Sequence, residues 1–372
     1  MRIAQVSPLY ESVPPRLYGG TERILHYITE ELVRMGHDVT LFASGDSQTS
    51  ARLRAQCDRA LRLNEQCVDP LAKHVLMLER VASWESEFDV IHFHTDYLHF
   101  SIARRMTVPH LTTLHGRLDI QDLGGVYDEF GDIPVVSISD AQRRPLPQAG
   151  WLATVHHGLP ADLLQFNADP EGYFAFVGRI SPEKRVDRAI EIAKALGVPL
   201  KIAAKVDKVD QEYFKTQIEP LLAHPLVEFV GEIGEAQKSA FMGGARALLF
   251  PIDWPEPFGL VMIEAMACGT PVVAFRNGSV DEVIEEGVTG LVVESVEEAT
   301  EAARRVGELD RARVRAEFER RFTAERMAKD YLELYAEVAA RKTLKSGLTE
   351  SEPPPAESGN AETAASEDVV AA

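Results

Sequence analysis

Cysteine is nearly absent: Cys57, Cys67 and Cys268 are the only three in 372 residues. Three thiols cannot all pair with one another, and none sits in a CxxC or Cys/His metal spacing. A disulfide scaffold and a zinc module therefore drop out, and a reducing compartment is the simple expectation. Positive charge is short as well, with 39 Lys and Arg against 58 Asp and Glu, a net −19. Non-specific nucleic-acid binding needs clustered cations to displace counterions, so that class is excluded. An anionic ligand held by a few local cations is not. No apolar run approaches the ~20 residues that span a bilayer. The opening MRIAQVSPLY enters a strand pattern without a basic-then-apolar leader, so the expected location is the cytoplasm. HExxH and Asp-x-Asp are both missing, so no metal is called for. The first strand pattern runs into SPLYESVPPRLYGG rather than GxGxxG, which argues against a nicotinamide dehydrogenase.

What is present is alternation. At this length two domains are expected. Short β-branched runs at residues 3–7, 39–43, 90–93, 111–114 and 135–138 alternate with other segments, some of them helical in pattern. The first helical pattern follows Gly19-Gly20 through Ile24, Leu25, Ile28, Leu32 and Val33, and Gly36 closes it. Residues 156–172 break the rhythm, with HGLP, an Asn and Asp-Pro, and predict a linker near 160–171. Strand patterns then restart at 173–177, 200–203, 227–230, 247–250, 271–275 and 291–293. Mostly apolar strands separated by helices predict parallel sheets buried on both faces, that is, an α/β chain of two doubly wound units. Ligands in such sheets bind at the carboxyl ends of the strands, which places chemistry in the cleft between the units. A helical pattern from 323 to about 340 ends the folded part. Beyond it, a stretch rich in Pro, Ser, Glu and Ala predicts disorder.

Two segments carry the chemistry. Gly178-Arg179-Ile180-Ser181-Pro182-Glu183-Lys184 lies between a strand and a helix. An Arg and a Lys beside a helix N-terminus suit a pyrophosphate, although a solvated loop with two surface cations has the same spacing. Pro255-Glu256-Pro257-Phe258-Gly259-Leu260 leads into a helix starting near Gly259, where free amides can hold phosphate oxygens. Glu264 falls inside the apolar run of that helix, a costly place for an unpaired carboxylate. Two hydroxyls of a ribose would answer the cost, and so would an ion pair with Arg179 or Lys184.

These segments, in this order, resemble the retaining glycosyltransferases of family 4, with the GT-B fold of two Rossmann-like domains facing a central cleft. The likeness also takes in Gly19-Gly20 with Thr21-Glu22, Ser137-Ile138-Ser139-Asp140, His157-Gly158, the E-x7-E pair of Glu256 and Glu264, and Gly269-Thr270-Pro271-Val272-Val273. It implies an acceptor-side domain at 1–165 and a nucleotide-sugar domain at 166–322. A C-terminal helix at 323–342 would pack back on the first domain, with a disordered tail at 343–372. It implies a metal-independent hexosyl transfer without cofactor, in which the nucleotide-diphosphate-sugar is a co-substrate and a UDP-sugar is favoured. The acceptor would be a sugar, a lipid-linked group or a small molecule. Arg179 and Lys184 would hold the diphosphate, Glu264 the ribose and Glu256 hydroxyls of the transferred sugar. Amides of Phe258, Gly259 and Leu260 would line sugar and phosphates, and Gly19 and Gly20 would close from the other domain. His115 would lie close to the transferred sugar, and base recognition would lean on backbone near 230–234. His94, in His92-Phe93-His94-Thr95-Asp96, is a candidate for acceptor or cleft contacts.

The chain departs from the family at His157-Gly158, where Asn-Gly is usual, so the sugar-domain contact of His157 is open. It also lacks the Gly-x-Gly common after the 200–203 strand, which makes Lys205 a candidate for phosphates or base. Arg52, Arg54, Arg59 and Arg62 would support a weak peripheral membrane contact if they shared one helix face, although a solvated helix face is the commoner meaning of such a stretch. A GT-B nucleotide-sugar epimerase or a non-catalytic nucleotide-sugar-binding protein would share the outline, so the site residues must separate them.

Overall fold

The computed structural model describes residues 1–349 except 17, 18 and 63, with side chains as far as 341. Seven strands form the first sheet: β1 (Arg2–Val6), β2 (Asp38–Ser44), β3 (Arg52–Cys57), β4 (Val90–Phe93), β5 (His110–Thr113), β6 (Val135–Ser137) and β7 (Trp151–Thr154). Six form the second: β8 (Tyr173–Arg179), β9 (Leu200–Lys205), β10 (Val227–Gly231), β11 (Ala245–Phe250), β12 (Val272–Phe275) and β13 (Gly290–Val293). All pairings are parallel, in the orders β3-β2-β1-β4-β5-β6-β7 and β10-β9-β8-β11-β12-β13. The apolar runs follow from this. Every residue of β4 and of β12 is buried, because helices cover both faces of a parallel sheet. Each sheet reverses its strand order once, between β1 and β4 and between β8 and β11. A crevice opens at the carboxyl ends of the strands at such a reversal.

The helix Gly20–Arg34 buries Ile24, Leu25, Ile28 and Leu32 at helical spacing, and the chain leaves it through Gly36 at φ +87°. The C-terminal helix Ala324–Thr349 returns to the first sheet. Its Met327, Tyr331, Tyr335 and Val338 share one buried cluster with Ile3, Ile28 and Val90. Where the chain crosses between the sheets, Leu159 and the 322–324 segment exchange backbone hydrogen bonds. The amide of Leu159 donates to Phe322 O at 2.9 Å, and that of Ala324 donates to Leu159 O at 2.8 Å. Gly158 permits the approach, since a Cβ there would lie 2.2 Å from Thr323 O.

Two expectations need correction. Arg52 and Arg54 are not on a helix but on β3, at the edge of the sheet, while Arg59 and Arg62 follow it in a loop. A charged edge strand resists further pairing, and Arg54 stacks 4.6 Å over Trp84 while pairing with Glu87. β7 carries no expectation from the sequence. The last helix continues to Thr349, beyond the expected 342, because extending a helix that is already nucleated costs far less than starting one. Residues 350–372, where disorder is expected, lie outside the described residues. No helix among the described residues is long and apolar enough to cross a membrane.

Candidate active site

The two crevices face each other across one cleft of about 1260 Å³, lined from β1 and β4 on one side and β8 and β11 on the other. The structure brings all the candidate residues from the sequence to this wall. The first half supplies Gly19, Gly20, His94 and His115, with His157 from the crossover. The second supplies Arg179, Lys184, Lys205, Glu256, Phe258, Gly259, Leu260 and Glu264. Gly20 stands so near the opposite side that a Cβ would lie 3.7 Å from Leu260 Cδ1.

Arg179 is the last residue of β8 and pairs with Glu183 at 3.2 Å and Asp207 at 3.6 Å. Lys205 ends β9, 3.0 Å from Asp207. Lys184 closes a single 3₁₀ turn, lies 4.9 Å over the Trp254 ring and ion-pairs with Glu256. Trp254 Nε1–H donates to the same Glu256 oxygen at 3.0 Å. Gly259 (φ +77°) starts the helix Leu260–Ala267, whose first amides open beside these cations. The loop bearing Glu256 is held from behind by Ser279, whose amide donates to Glu256 O at 3.0 Å and whose hydroxyl donates to Phe258 O at 2.8 Å. Three cations, a helix N-terminus and a carboxylate thus converge on a space that can accept a polyanion with a hydroxylated group beside it.

Glu264 is 5% exposed, and its partner is neither Arg179 nor Lys184 but Lys238, from the helix Glu235–Gly243. The ion-pair alternative read from the sequence therefore holds in kind but not in partner: Lys238 reaches across from the neighbouring helix. Glu232, Ile233 and Gly234, after β10, line the cleft beside it. Facing them from the first half is Tyr27, whose buried hydroxyl finds no hydrogen-bond partner among the described residues. Arg23 on the same helix ion-pairs with Glu235 across the cleft.

The histidines form a buried set on the first half. His94 Nδ1 is 2.8 Å from His115 Nε2, and the His115 ring stacks on His157 with centroids 5.3 Å apart. His157 in turn meets the edge of Phe258 at 5.0 Å. Burial lowers the His115 pKa to about 3 and holds His94 and His157 well below the usual histidine range, with neighbouring imidazoles adding to the effect on the last two. All three are neutral at physiological pH. The backbone on both sides of His115 is pinned by Gln142, whose amide donates to Leu114 O at 2.9 Å and Gly116 O at 2.8 Å. Near the first sheet's crevice Glu22 is buried and its pKa rises to about 7, through burial and the nearby Glu11 carboxylate. Asp96, just past β4, holds a left-handed φ of +48° on the cleft wall, the kind of local strain that clusters at functional sites.

The halves are also tied beside the cleft. Ser139 Oγ donates to Pro257 O at 2.6 Å, and the Glu282 carboxylate accepts the amides of Asp140 and Ala141, each at 2.7 Å. Lys238, Trp254, Tyr27, Arg23 and Glu282 carry no motif of their own. Only Trp254, next to Pro255-Glu256, and Arg23, next to Thr21-Glu22, stand close enough to a singled-out segment to have been found. Among the described residues, no group of three or more His, Cys, Asp and Glu side chains is placed to hold a metal ion.

Two family models match successive stretches of the chain: Glycosyltransferase Family 4 over residues 18–169 and Glycosyl transferases group 1 over residues 165–323. An uncharacterised glycosyltransferase of Methanocaldococcus jannaschii is 25% identical over 56% of this chain and 62% of its own length. The glycogen synthase of Mycobacterium tuberculosis is 25% identical over 89% of this chain and 94% of that protein. Among solved structures, Anabaena HepE in complex with UDP and glucose superposes with a TM-score of 0.69 at 20% identity, over 91% of this chain and 100% of that one. With the two parallel sheets and the cleft between them, the chain belongs to the group 1, family 4 glycosyltransferases of the GT-B fold and is a hexosyltransferase.

Proposed function

We propose that this enzyme is a retaining transferase that moves a sugar from a nucleotide-diphosphate-sugar, with a UDP-sugar favoured, to a hydroxyl acceptor without a metal ion. The observation that carries the reading is the convergence of Arg179, Lys184 and the Gly259 helix start on the Glu256 carboxylate, opposite His115. A diphosphate entering there takes Lys184 from Glu256, and the freed carboxylate turns to sugar hydroxyls. The bond from the anomeric carbon to the diphosphate breaks, and Arg179, Lys184 and the helix amides stabilise the growing charge. The acceptor oxygen attacks from the same face, and its proton passes to the departing phosphate oxygen, so no side chain serves as nucleophile. Catalysis then rests on positioning and charge stabilisation. Glu264 and Lys238 bind the ribose, and Lys205 faces the phosphates. HepE, with its UDP and glucose complex, and the glycogen synthase relative support nucleotide-sugar use.

The test is a panel of UDP-, GDP- and ADP-sugars incubated with acceptor sugars in EDTA, with nucleotide release and product anomers followed by NMR. Retained configuration in a sugar–acceptor product supports the reading. Nucleotide release with an altered free sugar and no acceptor product would instead favour an epimerase-like reaction.

A further inference from the structure

A single chain of hydrogen bonds joins the C-terminal helix to His115. Gln5, fully buried on β1, places its amide nitrogen 3.0 Å from Tyr335 Oη and its amide oxygen 2.9 Å from His94 Nε2. Tyr335 Oη also lies 2.8 Å from His92 Nδ1, His92 Nε2 lies 2.7 Å from Thr113 Oγ1, and Thr113 Oγ1 lies 2.7 Å from Tyr331 Oη. At the other end His94 Nδ1 meets His115 Nε2 at 2.8 Å.

Such a chain has a direction, and Gln5 sets it, because an amide has one donor end and one acceptor end. With the nitrogen donating to Tyr335, the oxygen must accept from His94 Nε2–H. His94 Nδ1 then carries the lone pair and accepts from His115 Nε2–H. His115 Nδ1 is left as an acceptor, buried and without a partner among the described residues. On the other arm Tyr335, having accepted from Gln5, donates to His92, and His92 Nε2–H donates to Thr113. Turning the Gln5 amide over would reverse both arms and present an N–H at His115 instead. Burial keeps the imidazoles neutral, so protonation does not blur the direction.

We infer that Gln5 and Tyr335 are positioning residues that fix His115 in its Nε2–H tautomer, so that its Nδ1 accepts a hydroxyl proton from the sugar in the cleft. The inference rests on the sugar-transfer reading above for its ligand, but not for the tautomer. The sugar position opposite Nδ1 must carry a hydroxyl. A group there that can only accept would set two acceptors against each other.

The test has two arms. Long-range ¹H–¹⁵N correlation of the free enzyme, with the His115 ring assigned by its loss in His115→Ala, reads the tautomer directly. The Nε2–H form in wild type, and a mixture of forms in Tyr335→Phe, are expected. An Nδ1–H form in wild type, or a pattern untouched by Tyr335→Phe, overturns the relay. In the second arm, the donor is chosen from UDP-, GDP- and ADP-glucose and GDP-mannose, and its monodeoxy analogues are bound to wild type, Tyr335→Phe and Gln5→Met. One analogue should lose about tenfold in affinity against wild type, the worth of one hydrogen bond, and much less against either variant. Donor KM should rise in both variants while acceptor KM stays level, which a general loosening of the fold would not produce. Equal losses in all three proteins would overturn the role at the sugar. A wild type with the expected tautomer that binds none of the four donors sinks the sugar-transfer reading, and the hydroxyl role with it, while leaving the relay itself standing.

Discussion

Lys184 pairs with Glu256 before any ligand arrives, so its side chain is already committed to the centre of the cleft. On this account the pair opens when a diphosphate competes for the ammonium. Lys184→Ala should lower kcat by about 10²–10³, the cost of losing one preorganised stabilising group. Glu264→Ala should raise donor KM by removing the buried partner of Lys238. Initial rates at saturating acceptor check both, and wild-type rates in both variants would sink the assignment. Glu22 offers a test at the same scale that needs no substrate. Its pKa rises from 4.5 to about 7 on folding, chiefly through burial, so its contribution to stability is full below about pH 4.5 and is lost as the pH rises through about 7. Glu22→Gln should therefore stabilise the protein at pH 8 by up to about 3 kcal/mol and flatten the melting temperature between those values. Arg179 and Lys184 stand out in the sequence as cations between a strand and a helix, and Glu264 as a carboxylate in an apolar run, whereas the role of Glu256 is read only from the family resemblance. Lys238 does not stand out, because its meaning comes from a helix 26 residues away in sequence. Neither do Gln5 and Tyr335, which are 330 residues apart and meet only in three dimensions.

Among elements, the loop carrying Glu256 depends on what lies beneath it. Gly278 (φ +56°) sits so close that a Cβ would come 2.2 Å from Glu256 O and 2.4 Å from Glu256 N, both backbone atoms that cannot swing aside. Gly36 has a comparable positive φ, but nothing lies within 4 Å of its would-be Cβ. Gly36→Ala should cost only the left-handed backbone term, about 1–2 kcal/mol, and leave donor binding intact. Gly278→Ala should cost more and abolish donor binding in whatever fraction remains folded. Paired melting and nucleotide-binding measurements distinguish the two, and equal effects would contradict the contact. The strands nearest the cleft were readable from their apolar runs, since parallel strands buried on both faces leave little choice of residue. β3 was not, because two arginines on a six-residue edge strand resemble a charged helix face until Trp84 and Glu87 are seen beside Arg54.

For the whole molecule, the cleft lies between two halves that are also tied beside it. Glu282 makes one of those ties, accepting the amides of Asp140 and Ala141. Burial alone would raise its pKa, but hydrogen bonds from His156 and from the amides of Asp140 and Ala141 outweigh it and hold the carboxyl below its ordinary 4.5. Its stabilisation is present above about pH 4.5 and is lost as the pH falls through that lowered value, opposite in sign to Glu22. Glu282→Ala should speed hydrogen exchange at the Asp140 and Ala141 amides and raise donor KM. Unchanged exchange at those amides would show that the halves are held elsewhere.

The central claim, that the cleft is a metal-independent nucleotide-sugar site, is tested most directly by thermal melting with UDP-, GDP- and ADP-sugars in EDTA. A ligand bound only by the folded state raises the melting temperature by mass action. The account predicts a rise with one nucleotide class, greatest for the UDP-sugars, that disappears in Arg179→Ala. No rise with any of them, in a wild-type protein that melts cooperatively, would contradict it.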